Sequence, residues 1–270
     1  MSSTPAEFEA ELELFRTEAE SAIQFFYAWQ SINAIASGNK AVLRLLNEAP
    51  LFWNTNIGAP LQASALVAMG RIFDPDPKNH SVTRLLSIAH SNLSVFSKDA
   101  LAARKRKQSS NADEWLAEYL VSAYVPTTED FRRLKRHVAK RRLIYEEKYR
   151  PLRHKVFAHR GVSDKAEVKR LFAKTAVREM QQLLTFLARL HETLWQLYFN
   201  GHKPSLRPAR FSVTQILEKP SPNFRSGSVQ ERLVSEAQKF LTKHSKLSEV
   251  NAPFARPEEQ KQKRMKPSVV

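Results

Sequence analysis

Only six glycines occur in the 270 residues, and stretches that alternate apolar with polar residues between turn signals are missing. Strands and hairpins need both features. Apolar residues instead return every three or four positions through most of the segment before Gly201, the period of a helix buried along one face. The chain is therefore expected to be all-α, a bundle of four main helices with extra short helices.

The first long helix is predicted from about Ala6 to Ser37, carrying Phe8, Leu12, Phe15, Ala19, Ala22, Phe26 and Trp29, with Gly38-Asn39 closing it. A second starts near Pro60 and ends at Asp74-Pro75-Asp76-Pro77. Ser81 caps a short helix through Val82, Leu85, Leu86 and Ala89, and further short helices are expected around Val95 to Lys107 and Asp113 to Ala123. Thr128 is then read as the cap of a long helix whose Phe131, Leu134, Val138, Tyr145, Tyr149, Leu152 and Val156 share one stripe about 60° wide at 100° per residue. Pro151 interrupts or kinks that helix and Gly161 ends it. A final long helix is expected from about Thr175 to Phe199, stopped by Asn200-Gly201.

Composition shifts after Gly201. Residues 1–201 are expected to form the bundle domain, and residues 202–270 a basic, proline-containing and largely irregular extension. Within it Ser228 and Glu231 make a capping box ahead of one amphipathic helix near residues 229–245. Its apolar face needs a partner, either the core domain or another protein.

The net charge is +16. Residues 1–50 are negative by about four, while residues 101–160 carry about nine and residues 201–270 about eight excess positive charges. Such a balance favours a polyanionic partner, and RNA or DNA is the first candidate. Cysteine is absent, which excludes disulfides, thiol catalysis and cysteine-bound metals. An acidic N-terminus without a signal-peptide pattern and no long apolar run argue for a cytoplasmic location without a membrane partner. Histidines at i and i+4 and a phosphate-cradling glycine loop are both missing, so neither metal nor cofactor is expected.

Two sets of residues remain as candidates for chemistry. Arg132, Arg133, Lys135, Arg136, Lys140, Arg141 and Arg142 form a run with no acid between positions 131 and 143. Arg132, Arg133, Arg136, Lys140 and Arg141, with Lys155 and Arg160, are the expected phosphate contacts; a solvated helix face is the plainer reading. The second set is RHKVFAHRG, Arg153 to Gly161. A guanidinium can hold a phosphate and its developing charge, and an imidazole can move a proton near neutral pH. Arg153 and His159 thus suit cleavage of RNA by an attacking 2′-hydroxyl without a metal. Arg84 with His90, and Arg132 with His137, have similar spacings but lack that context. In a purely structural reading, Arg153 and His154 cap carbonyls and pair with Glu146 or Glu147.

The stretch resembles the defining motif of the HEPN superfamily: Arg, then Asn, Asp or His, then a later His, matched by Arg153, His154 and His159. The order ALVAMGRIFDPDPKNHSVTRLL, PLRHKVFAHRG and a long helix ending LYFNG is similar to the abortive-infection, AbiU-like branch, over roughly residues 10–201. That resemblance implies a HEPN-like bundle and a metal-independent endoribonuclease of phage defence, or a toxin. It casts Arg153 as phosphate and transition-state stabiliser, His159 as acid or base, and His154 as the group that orients or polarises. Arg71 and Asp74 are then candidates to line the same cleft. It further implies a homodimer with a composite active site, and an antitoxin or regulatory protein as a conceivable partner. Some members of the superfamily keep the fold as non-catalytic modules that bind nucleic acid or protein, which is the alternative function.

Overall fold

A computed structural model describes residues 4–76, 78–158, 164–207, 211–219 and 228–250. In order they form α1 (Pro5–Gly38), α2 (Lys40–Glu48), α3 (Pro50–Trp53), a π turn (Asn54–Gly58), α4 (Ala59–Ile72), α5 (Val82–Ser91), a 3-10 turn (Leu93–Phe96), α6 (Lys98–Gln108), α7 (Ala112–Ser122) and α8 (Thr128–Ile144). A π turn (Tyr145–Tyr149), α9 (Arg150–Leu152), a second π turn (Arg153–Ala158), α10 (Lys165–Ala173), α11 (Val177–Asn200), α12 (Val213–Glu218) and α13 (Val229–Val250) follow. Among the described residues there is no strand, and no helix is long and apolar enough to cross a membrane. The all-α expectation holds.

The chain divides into two compact units. The first takes residues 1–26 and 60–212. Its centre is aromatic: Phe8 meets Phe96 at 5.1 Å and Tyr198 at 4.9 Å between ring centroids, and Phe96 meets Phe131 at 5.3 Å. Each of these rings is almost fully buried, so one cluster ties α1, α8 and α11 to the 3-10 turn. Of the stripe expected after Thr128, Phe131, Leu134, Val138, Tyr145, Tyr149 and Leu152 are buried. α11 ends where Gly201 adopts a left-handed backbone, φ 59°, and its missing Cβ separately avoids a 2.8 Å approach to Leu101 Cδ2.

The second unit takes residues 27–59 and 213–270. Ile35, Ala36, Val42 and Leu241 form its core, with Ile32, Leu46, Trp53, Leu217 and Ala237 packed around them. The amphipathic helix foreseen in the tail is α13, started by the expected Ser228–Glu231 box, and its apolar face is covered by α2, α12 and the last turns of α1. This chain supplies the partner that the sequence left open.

Several local expectations change. α2, α3, α10 and α12 were not anticipated, and helical structure precedes Pro60. The 3-10 turn and α6 replace one helix at residues 95–107, with Ser97 as the cap between them. The cap of α8 is Thr127, not Thr128. From position 127 the third helical residue is Asp130, whose carboxylate accepts the Thr127 N–H at 2.9 Å while Thr127 Oγ1 accepts the Asp130 N–H at 3.4 Å; from 128 the third residue would be Phe131, which cannot reciprocate. Asp130 also accepts from the Tyr124 hydroxyl at 2.7 Å and from Arg133 at 3.0 Å. Burial alone would raise its pKa, but these hydrogen bonds and the Arg133 charge outweigh it and hold the carboxyl below its ordinary value.

Replacing Thr127 by Ala should cost about 1 kcal/mol in urea unfolding. Because the folded pKa of Asp130 is depressed, its contribution is present at neutral pH and is lost as pH falls through the carboxylate range. The stability gap between the native chain and Asp130→Asn should therefore narrow between pH 6 and pH 3, and a gap independent of pH would contradict this assignment.

Candidate active site

Chain geometry just past α8 follows from one missing donor. Pro151 has no N–H and its ring crowds the carbonyl four residues earlier, so a regular α-turn cannot run through it. Before the proline the backbone widens, with Arg150 N–H bonding Tyr145 O five residues back; just after it the chain tightens, with Arg153 N–H reaching Arg150 O three residues back, and it widens again over Arg153–Ala158. The expected kink is thus realised as two π turns, a form that often accompanies functional sites. Arg153 and His154 open the second turn.

Both side chains are half-buried. Arg153 Nη2–H donates to His154 Nε2 at 2.6 Å. A guanidinium has only donors, so Nε2 must offer its lone pair and the ring must carry its proton on Nδ1. On its other side the guanidinium lies on the bare backbone of Gly70 in α4: a Cβ built there would overlap Nη1 and stand 2.7 Å from Cζ. The same point is 3.0 Å from the Tyr145 hydroxyl oxygen. Tyr145 is 2 % exposed, stacks on Phe73 at 5.4 Å, and its hydroxyl has no hydrogen-bond partner among the described residues. Burial pushes its pKa up to about 12, against the opposing fields of Arg153 and Arg150, so the phenol is neutral at physiological pH.

Neither glutamate expected in the purely structural reading forms an ion pair with Arg153; Glu146 is held by Arg142 Nε at 2.7 Å. No ion pair neutralises Arg153 among the described residues. His159, Arg160 and Gly161 lie outside those residues. Lys155 is exposed and bound to Glu167 of α10 at 2.9 Å, while Phe157 packs edge-on against Phe172 of the same helix at 6.2 Å. α10, capped by Asp164, therefore braces the motif turn.

The basic residues of α8 present a graded picture. Arg132 and Arg136 are 65 % and 68 % exposed and share the one carboxylate of Glu129, at 3.7 and 2.7 Å. Lys140 is exposed, Arg141 lies over the Phe186 ring at 4.8 Å, and Arg133 is engaged by Asp130 and by Pro204 O at 3.2 Å. Arg132, Arg136 and Lys140 keep the most freedom to meet a phosphate. The competing motif spacings resolve structurally: Arg84 binds Glu11 at 2.6 Å, and His137 is disfavoured as a cation by burial and by the surrounding arginines and lysine. Arg71 pairs with Glu18 at 2.7 Å. Asp74 accepts from Asp76 N–H and Asn79 Nδ2–H, closing a turn.

Gly70 and Tyr145 had no assigned part in the chemistry. The signal for Gly70 was its place in the interior of a helix, where glycine costs about 1 kcal/mol relative to Ala and so asks for a packing reason. The orphan hydroxyl of Tyr145 had no signal, since the stripe accounted fully for its ring. For His154, nitrogen NMR at neutral pH should find the proton on Nδ1 and Nε2 bare; a proton on Nε2 would break the arrangement described.

The combination of half-buried guanidinium, imidazole and neighbouring basic helix sits in an all-helical chain. The family model HEPN_AbiU2, described as AbiU2, matches residues 5–214. The curated proteins and the solved structures give no match. The match spans most of the chain and both parts of the site, so the protein belongs to the AbiU2 family of HEPN proteins, an abortive-infection family.

Proposed function

We propose that the protein is a metal-independent endoribonuclease that acts in phage defence or as a toxin. The observation that supports this best is the Arg153 guanidinium, fixed to a neutral His154 and unneutralised by any ion pair among the described residues. A fixed cation of this kind is of use where negative charge develops.

The reaction divides among three groups. A base, assigned to His159 from the motif, removes the ribose 2′-hydroxyl proton as O2′ attacks the adjacent phosphorus. Arg153 stabilises the charge gathering on the non-bridging oxygens, with His154 orienting it. The P–O5′ bond breaks, the departing oxygen takes a proton, and the products end in a 2′,3′-cyclic phosphate and a 5′-hydroxyl. Arg132, Arg136 and Lys140 contribute phosphate contacts along the strand, as would Arg160. A homodimer that brings two such motifs to one cleft is part of the proposal, as is control by a regulatory protein.

In excess EDTA the purified chain should cleave RNA to cyclic-phosphate ends. Arg153→Ala and His159→Ala should each lower the rate about 10²- to 10⁴-fold. Intact RNA, or equal cleavage by both variants, would overturn the proposal; salt-sensitive RNA binding without turnover would favour the non-catalytic binding module instead.

A further inference from the structure

Gly70 and Arg153 meet across two elements far apart in sequence, and the contact requires an absence of side chain. Gly70 does not need glycine's conformational freedom, since Gly201 is the only described glycine with positive φ. It is buried in the interior of α4, where alanine would be the better helix former. What excludes alanine is space: its methyl would occupy the position of Arg153 Nη1. Arginine's end is flexible, so such a methyl would move the guanidinium rather than break the fold. The displacement would also pull Nη2 from His154 Nε2, which it meets at 2.6 Å.

Tyr145 closes the seat from within the π turn. Its oxygen lies 3.0 Å from the position that also touches the guanidinium, and of the charges around it Arg153 acts on it most strongly. The ring is held by its stack on Phe73, at 5.4 Å and 27°. No hydrogen bond joins the two, but a neutral phenol oxygen carries lone pairs that a group with only donors attracts.

We propose that Gly70 and Tyr145 are positioning residues that hold the Arg153 guanidinium in place beside His154, Gly70 by leaving its Cβ space empty and Tyr145 by facing the cation with a buried hydroxyl oxygen. Its consequence for catalysis rests on the endoribonuclease reading; the seat itself does not. Position matters because a displacement of about 1 Å at a reacting group costs on the order of 100-fold in rate.

The test uses the full chain and two readouts. Gly70→Ala should remain folded and lower kcat about 100-fold with KM little changed, and the Nδ1-protonated signature of His154 should be lost. Tyr145→Phe, which keeps the ring, should lower kcat about tenfold without lowering Tm. Thermal unfolding decides the contact without RNA: the Tm change from Gly70→Ala should be more favourable in an Arg153→Ala background than in the native chain, because the methyl then meets no guanidinium. An equal Tm change in both backgrounds, or native kcat in Gly70→Ala or in Tyr145→Phe, would overturn the proposal. If the native chain cleaves no RNA, the endoribonuclease reading fails, and the Tm comparison still decides whether the seat exists.

Discussion

A guanidinium resting on bare helix backbone is the contact from which the rest of the site follows. Arg153 reaches His154 because α4 presents Gly70, without a side chain, to the turn after α8. That turn has its shape because Pro151 breaks the regular ladder and the backbone widens into π turns on either side. Tyr145 belongs to the same adjustment: it remains in the buried stripe, yet its hydroxyl has no hydrogen-bond partner among the described residues. One proline and one glycine thus convert an ordinary helix pairing into a place where a cation is held half-buried and unneutralised among the described residues.

Charge elsewhere in the molecule is arranged differently. Arg84, Arg71 and Arg142 are paired with carboxylates at 2.6 to 2.7 Å, and Arg104 is spent on the Val95 and Tyr198 carbonyls. These cations hold elements together. Arg132 and Arg136, by contrast, divide one glutamate and stay mostly in solvent, where a chain of phosphates could replace a weak, screened pair. The formal excess of +16 already subtracts every carboxylate, so these pairs do not diminish it, and on α8 it is Arg132, Arg136 and Lys140 that stand exposed.

Much of the fold was legible because burial imposes a period. The stripe from Phe131 to Leu152, the Ser81 cap, the Gly201 stop and the Ser228–Glu231 box were all readable, since each depends on neighbours within one or two turns. The cap of α8 was misplaced by one residue because Thr127 and Thr128 are chemically alike and only reciprocity with Asp130 separates them. α10 was hidden by its brevity, although Asp164 caps it. The site was half legible. Arg153 and His154 stood out by their context and by the motif they match, whereas Gly70 acquires meaning only once a residue 83 positions away is packed on it, and no local pattern carries such information.

The most direct measurement is a crystal structure of the full chain with an RNA strand bearing a 2′-deoxy nucleotide at the cleavage position, which prevents attack. The account predicts a phosphate non-bridging oxygen within hydrogen-bond distance of the Arg153 guanidinium, with Gly70 behind it and His154 Nε2 still bonded to Nη2. A strand bound along α8 that never reaches Arg153, or a guanidinium swung away from Gly70 when RNA is present, would contradict it.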